Sequence, residues 1–540
     1  MQKKYVYFFL IIVPILVFLL SFSLRKAQGP YFYNTHYDPT YAYLISSLNL
    51  SEFKDINFFF HPGSTLQIIG AVVIKLVYLV QGDYISIAED VYSKPETYLY
   101  AYLTALILIN TISLFLIGVI IYKATNNIFL SLFIQLSAVV SNSITYELSV
   151  VNSDNLIIPV TLFLVALSIK YIYKSPLVKG KFTYEILFAL TCGIGLATKL
   201  NFLPLLLIPL IMINGIKRKL LFLGLTGVIF LLFIFPVYSN FSNFIAWIKN
   251  LALYSGRYGT GNANVVDSDL FVKNLQVIFK SQSYFFYTYF FVLIFIFISL
   301  FGHFRKKILA LSKPEYILLI SFFLSMSLLT ILTAKQYAPR YINPALLLCP
   351  VSLYLIFAIF LKTVRIPKKI IFDYAVCILL AGYIIIVSYK KEISAIKWNE
   401  IKKNEAVQIE EYMKNNHNNT KILTCFGSTS LDFALAFTLP FSASQKPIYQ
   451  SILKKKYPNN LYFKPWVKKI ESITGTDDVK EILNSEGKLL LKLKLMDKVN
   501  SSTLDDVRYE LIQTYNFKNP EFVSLYSNSI NETIYEVILK

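Results

Sequence analysis

The feature that most constrains this chain is the recurrence of long apolar runs with no charge in their middles. About 20 consecutive apolar residues is the length that crosses a bilayer core as a helix. Runs of this kind occupy 5–24, 98–122, 127–143, 155–173, 184–198, 200–215, 219–237, 285–302, 315–333, 342–361 and 369–388. Only 16% of the 540 residues are charged, where a soluble chain carries about a quarter. The pattern predicts a mainly α, polytopic transmembrane helical bundle of about eleven spans. The pair around TKLNFLP, Thr198 to Pro204, is short and reads as two broken helices. The N-terminal run is too long for the core of a secretion signal, and no small-x-small cleavage site follows it, so it reads as a retained first helix.

Charge placement orients the bundle. The net charge is +20, from 52 Lys and Arg against 32 Asp and Glu. In a soluble chain that balance points to nucleic acid. Here the basic residues sit between apolar runs, where they orient helices, and no nucleic-acid partner is expected. The segment 64–80 is apolar but contains Lys75. If it lies along the interface, Lys3–Lys4, Lys123, the Lys170–Lys181 loop, Lys217–Lys219, Arg305–Lys307 and Lys362–Lys369 all fall on one side. The loops 25–98, 147–154, 238–273 and 333–340 then share the other, and the positive-inside rule is obeyed in every connection. This places the N-terminus in the cytoplasm of a bacterial inner membrane and makes 64–80 a juxtamembrane helix of the first outer loop.

Everything after residue 388 then emerges outside, and there the long apolar runs stop. The expected domains are a membrane domain, 1–388, and a small α/β extracytoplasmic domain, 389–540. In the latter KILTCFG reads as a strand ending in a glycine turn, SLDFALAF as a short helix and KLLLKLKL as a further strand. No Walker loop, GxSxG or GxGxxG occurs in it. Cys192, Cys349 and Cys377 lie in apolar runs, and with Cys425 they form no CxxC and no His/Cys pattern at metal spacing.

The polar residues of the outer face are His36, Asp38, Tyr41, Tyr43 and His61 in the first loop, then Glu147 and Asp154, Lys199, Arg257 and Tyr258, and finally Lys335, Arg340 and Tyr341. Ionisable groups at the membrane boundary are functional candidates by default. A carboxylate with several cations suits transfer from a lipid-phosphate donor. The carboxylate takes the proton of an attacking hydroxyl, and the cations hold the phosphate and stabilise its growing charge.

Four stretches carry a resemblance in their order along the chain. HYDPTYAYL puts an acid, Asp38, early in the first outer loop, and HPGSTLQ opens the juxtamembrane helix at His61. GLATKLNFLPLLLIP follows from Gly195, and APRYINPALLL opens a late helix from Ala338. Across roughly residues 1–390 this order resembles the GT-C superfamily of polytopic glycosyltransferases, which includes the protein O-mannosyltransferases and the aminoarabinose transferases acting on lipid A. The resemblance implies a polyprenyl-phosphate sugar donor, membrane lipids as surroundings, and a lipid, glycan or protein acceptor. Many members carry paired acids in the first loop; here Asp38 is followed by Pro39 and the next acid is Glu52. A metal held by a pair at that spot is therefore not expected. No cofactor is required, and a divalent metal elsewhere is left open.

On both grounds Asp38 is the candidate base. His61, Lys199 and Arg340 are the candidates for the donor phosphate, and Tyr41, Asp154, Arg257, Tyr258 and Tyr341 for substrate contact. Each has a plainer reading. Asp38 before Pro39 suits a helix N-cap, as Asp154 does. His61 before Pro62-Gly63 suits a turn, Lys199 a snorkelling lysine, and Arg340 a topology anchor. A transporter or flippase of lipid-linked glycans shares the basic cavity, but it predicts repeated pairs of broken helices, and only one candidate break is present. A non-catalytic assembly protein, with the outer tail as its docking domain, is a third reading.

Overall fold

The computed structural model describes residues 3–33, 36–174, 182–304, 314–364, 369–416, 420–494 and 503–540. Most of the Lys170–Lys181, Arg305–Lys307 and Lys362–Lys369 charge that orients the chain lies outside the described residues. The chain divides into two compact units. The first comprises Met1–Ser23, Phe59–Leu66 and Leu103–Ile393, the second Leu24–Phe58, Gln67–Tyr102 and Ser394–Lys540. Composition divides the chain at 388/389. Compactness divides it at Ser394 and adds two segments of the first loop to the C-terminal residues.

Among the described residues seven helices are long and apolar enough to cross a membrane: Tyr5–Gln28, Ser64–Gln81, Pro95–Thr125, Ser153–Tyr173, Ser283–Phe301, Pro314–Lys335 and Pro339–Leu361. An eighth is added if Ile216–Phe233 and Phe235–Leu253, bent by 76°, form one span. The chain is a multi-pass membrane protein. Among the described residues this count is lower than the number of apolar runs, because some runs are broken into shorter helices. Hydropathy reports burial in apolar surroundings, whereas length depends on where the helix is broken. The runs 127–143, 184–198 and 200–215 are the short helices Ile128–Val139, Thr183–Thr198 and Leu200–Met212. The run 369–388 lies in helix Lys369–Asn416. Ser64–Gln81 meets the length and composition of a span, so only the charge argument sets it along the interface.

In the first unit the helices pack closely through small residues, as association without a hydrophobic drive requires. Thr183–Thr198 packs along Ile216–Phe233. Gly193 sits at the contact, where a Cβ would come within 2.6 Å of Ile229. Buried polar groups are tied to backbone: Gln135 donates to the carbonyls of Leu10 (2.9 Å) and Leu114 (2.8 Å).

The second unit contains a six-stranded sheet of β1 Lys421–Cys425, β2 Asn460–Lys464, β3 Lys469–Ser472, β4 Leu489–Lys494, β5 Glu521–Ser527 and β6 Glu532–Ile538. The order is β3-β2-β1-β4-β6-β5. β1 runs parallel to β2 and β4, and the remaining pairs are antiparallel. Leu423, Phe463, Leu491 and Val507 are fully buried in its core. The expected strand, glycine turn, helix and strand appear as β1, Gly427 at φ +94°, Leu431–Phe437 and β4. Ser430 caps that helix, its Oγ accepting from the Phe433 N–H at 3.1 Å. Helix Tyr37–Ser51 of the first loop is anchored inside this unit. The Tyr37 hydroxyl accepts from the Gly427 N–H at 2.9 Å. Asn49 donates to the Ser442 carbonyl at 3.0 Å and accepts from the Tyr449 hydroxyl at 2.6 Å.

Candidate functional site

The site in the first unit begins at TKLNFLP. Helix Thr183–Thr198 ends where Lys199 turns extended, φ −162° and ψ 132°, although its N–H still reaches the Gly195 carbonyl at 2.9 Å. Gly195 makes room for the turn that follows, since a Cβ there would meet the Phe202 ring at 2.6 Å. Lys199 Nζ lies 2.5 Å from Asp154 Oδ2, with side chains 1% and 2% exposed. Asp154 stands in the first turn of helix Ser153–Lys174. Arg340, in the Pro339–Ile342 turn, brings its Nε within 3.4 Å of the same oxygen. Asp154 is thus the common counterion of two cations.

Glu147 adds a second buried acid, which accepts a hydrogen bond from Asn152 Nδ2. Burial first, and the neighbouring Asp154 charge next, push its carboxyl up to about 7, against the pull of Arg340 and Lys199. Less negative charge therefore faces the two cations than two ordinary carboxylates would supply. The surplus positive charge is a place for an anion.

The HPGST turn is pinned on this break. The Gly63 N–H donates to the Thr198 carbonyl at 3.2 Å, and the Thr65 and Thr198 hydroxyls lie 2.7 Å apart. His61 is held left-handed, at φ +70°, which costs a non-glycine residue about 1–2 kcal/mol. Its Nε2 is 3.2 Å from the Tyr341 hydroxyl. Its ring stands edge-on to Trp247 (5.4 Å), Tyr341 (5.6 Å) and Tyr258 (5.8 Å). Tyr258 is also left-handed, at φ +63°, between Gly256 and Gly259, both at positive φ. Strained non-glycine residues of this kind cluster at functional sites. Lys199 Nζ lies 4.6 Å from the centre of the Tyr341 ring. A cavity of about 280 Å³ opens here, bounded by His61, Lys199, Trp247, Leu329, Leu332 and Tyr341 among others.

The structure therefore brings together Asp154, Lys199, Arg340, His61, Tyr258 and Tyr341. Arg257 shares the Arg257–Gly259 turn with Tyr258; its side chain is outside the described atoms. Asp38 and Tyr41 belong to the second unit. Tyr41 is fully buried there, and its hydroxyl donates to Glu96 at 2.7 Å. Asp38 is exposed, and its backbone is extended at the head of helix Tyr37–Ser51, with Pro39 following. It is a non-helical kink, φ −98° and ψ 117°, within the first turn of that helix. Lys335, another outer-face cation, donates to the carbonyls of Leu251 (2.8 Å) and Ala252 (2.6 Å) and so caps helix Phe241–Leu253. Sequence reasoning missed Trp247. Its only signal was scarcity, one of 3 tryptophans in the chain. Among the described residues no group of three or more His, Cys, Asp or Glu is placed to hold a metal ion.

No protein-family model matches the chain, and no curated protein does. Solved structures do. ArnT from Cupriavidus metallidurans, bound to undecaprenyl phosphate, aligns at a TM-score of 0.51 with 12% identity, over 99% of this chain and 98% of that one. The same protein in the apo state aligns at 0.51 with 11% identity, over 98% and 97%. The fold is that of ArnT. Coverage of nearly all of both chains means that the ArnT fold takes in the membrane helices and the C-terminal sheet together. At this identity the likeness to ArnT concerns architecture, and the roles of individual residues are argued from their chemistry.

Proposed function

We propose that this protein is a membrane glycosyltransferase that moves a sugar from a polyprenyl-phosphate donor to an acceptor hydroxyl on a lipid, glycan or protein. The reaction takes place at the outer face of a bacterial inner membrane, with the N-terminus cytoplasmic and the C-terminal domain extracytoplasmic. The observation that carries the proposal is the buried Asp154–Lys199 pair with the partly exposed Arg340 on the same carboxylate, beside a largely apolar cavity edged by His61. A polyprenyl phosphate combines an apolar tail with an anionic head, and this is the matching pair of surroundings. The undecaprenyl phosphate bound to ArnT supports the donor class.

The chemistry follows from the donors available. Lysine offers three N–H groups and arginine five, so both cations can contact a phosphate while keeping Asp154. The acceptor oxygen attacks the anomeric carbon, and the bond from that carbon to the phosphate oxygen breaks. The leaving polyprenyl phosphate gains a negative charge, which Lys199, Arg340 and His61 stabilise. Tyr258 and Tyr341 offer ring faces to the sugar. Asp38 takes the acceptor's proton; its assignment comes from the sequence argument alone.

The test is purified protein in nanodiscs with a radiolabelled polyprenyl-phosphate sugar. Transfer that disappears in Asp38→Asn, with thermal unfolding unchanged, supports the enzyme and its base. Full transfer in that variant removes Asp38 from the reaction. Lipid movement across the bilayer without transfer replaces the whole reading with the flippase.

A further inference from the structure

The second unit holds a cavity that the proposed transfer reaction does not use. It measures about 430 Å³, within the range of roughly 300–1,000 Å³ typical of small-molecule sites. Helix Leu431–Phe437 and the turn after it supply Phe433, Phe437 and Phe441, while β2, β3 and their connection supply Tyr462, Lys464, Trp466 and Glu471. Aromatic side chains that serve only a core are covered. Phe433 and Tyr462 are, at 1% and 2% exposure, whereas Trp466 is 58% exposed. Trp466 is nevertheless held: its ring meets Phe426 at 5.0 Å and 82°, and Phe437 at 6.3 Å and 86°. Beside it Lys464 Nζ pairs with Glu471 Oε2 at 2.7 Å, with side chains 16% and 27% exposed. This sets a cationic donor and an anionic acceptor side by side on the wall of an aromatic pocket.

We infer that this cavity binds a saccharide. A sugar ring presents C–H faces that pack on aromatic rings and a rim of hydroxyls that both donate and accept. The Trp466 platform answers the first need, and the Lys464–Glu471 pair answers the second. An acyl chain needs an apolar wall without a half-buried ion pair, which costs desolvation for no return. A phosphorylated ligand needs cations without the glutamate. Lys446 also lines the cavity, so neutral and weakly acidic sugars both fit the charge. On the transferase reading, on which this last step rests, the site favours a glycan acceptor over a protein one.

The experiment is direct binding to the full-length protein in nanodiscs, followed by tryptophan fluorescence and calorimetry, with maltotriose and chitotriose as neutral probes and trigalacturonate as the acidic one. It involves no sugar transfer, so it succeeds or fails independently of the catalytic proposal. Expected is saturable binding of a neutral or the acidic probe, weakened roughly tenfold or more in Trp466→Ala and largely kept in Trp466→Tyr. Glu471→Gln weakens it as well. Trp466→Ala also gives up the ring contacts with Phe426 and Phe437, so its unfolding temperature is read alongside, and Trp466→Tyr, which keeps an aromatic ring, is the comparison. Absence of binding by all three probes at millimolar concentration overturns the inference, and so does wild-type affinity in Trp466→Ala.

Discussion

Replacing Lys199 with methionine keeps the side-chain length and removes the charge. It leaves Asp154, 2% exposed, with Arg340 as its remaining ion-pair partner at 3.4 Å. Removing one member of a buried pair costs about 3–5 kcal/mol because the other charge stays in a low-dielectric site. Arg340 offsets part of this, so the expected loss is about 2–4 kcal/mol, read as a lower unfolding temperature in nanodiscs. Adding Asp154→Asn removes the partly compensated acid, and Arg340 keeps Glu147 as a neighbouring acid, so the double variant regains part of that stability. A purely structural pair and a phosphate site agree to this point. They part on binding. A charge-assisted contact to phosphate is worth about 1.5–3 kcal/mol, so undecaprenyl-phosphate affinity falls roughly 10- to 100-fold in Lys199→Met. It stays low in the double variant, because the stability regained does not restore the lost cation. If the double variant recovers both stability and affinity, the cluster is structural only. Wild-type affinity in Lys199→Met refutes the reasoning outright.

Three further outcomes are expected. Gly195→Ala places a Cβ 2.6 Å from the Phe202 ring, an overpacking that costs about 1–3 kcal/mol and shifts the turn carrying Lys199; it lowers unfolding temperature and lipid-phosphate affinity together. Gly224→Ala, with nothing within 4 Å of its Cβ, is the control, and equal behaviour of the two variants removes the steric argument. For Glu147, raised to about 7 by burial, the folded state holds its proton more tightly than the unfolded chain. Its stabilising contribution is therefore complete below the ordinary carboxylate range, about pH 4.3, and is lost as pH rises through about 7. Unfolding temperature falls across that window, and Glu147→Gln flattens the fall; identical pH profiles would exclude this group as the cause. Lys335→Met deletes the lysine's hydrogen bonds to the Leu251 and Ala252 carbonyls, leaving Gln336 on the Leu251 carbonyl, and speeds hydrogen exchange at the C-terminal end of helix Phe241–Leu253, by a stability loss of about 0.3–1 kcal/mol. Unchanged exchange there would mean that the cap does not stabilise the helix.

The sequence by itself determined what depends on local properties. Apolar runs are read residue by residue, so the membrane class was legible, as were the strands and glycine turn of the C-terminal sheet. Three of the places where helices break or begin were legible too, because Pro62-Gly63, Pro204 and Pro339 stand in or beside them; the 76° bend between Phe233 and Phe235 was not. Those three places are where the backbone leaves regular structure, and they carry His61, Lys199 and Arg340. Only the tertiary structure decided which of these residues meet. Lys199 and Asp154 are 45 positions apart, and His61 and Tyr341 are 280 apart; no local pattern encodes such a pairing. Packing likewise decided the fate of the tyrosines in HYDPTYAYL. A tyrosine has an apolar body and a polar tip and suits either a substrate-facing surface or a core with a partner for its hydroxyl. Tyr41 found that partner in Glu96, 55 positions away, and became part of the core. Asp38 remained on the surface at the head of the same helix.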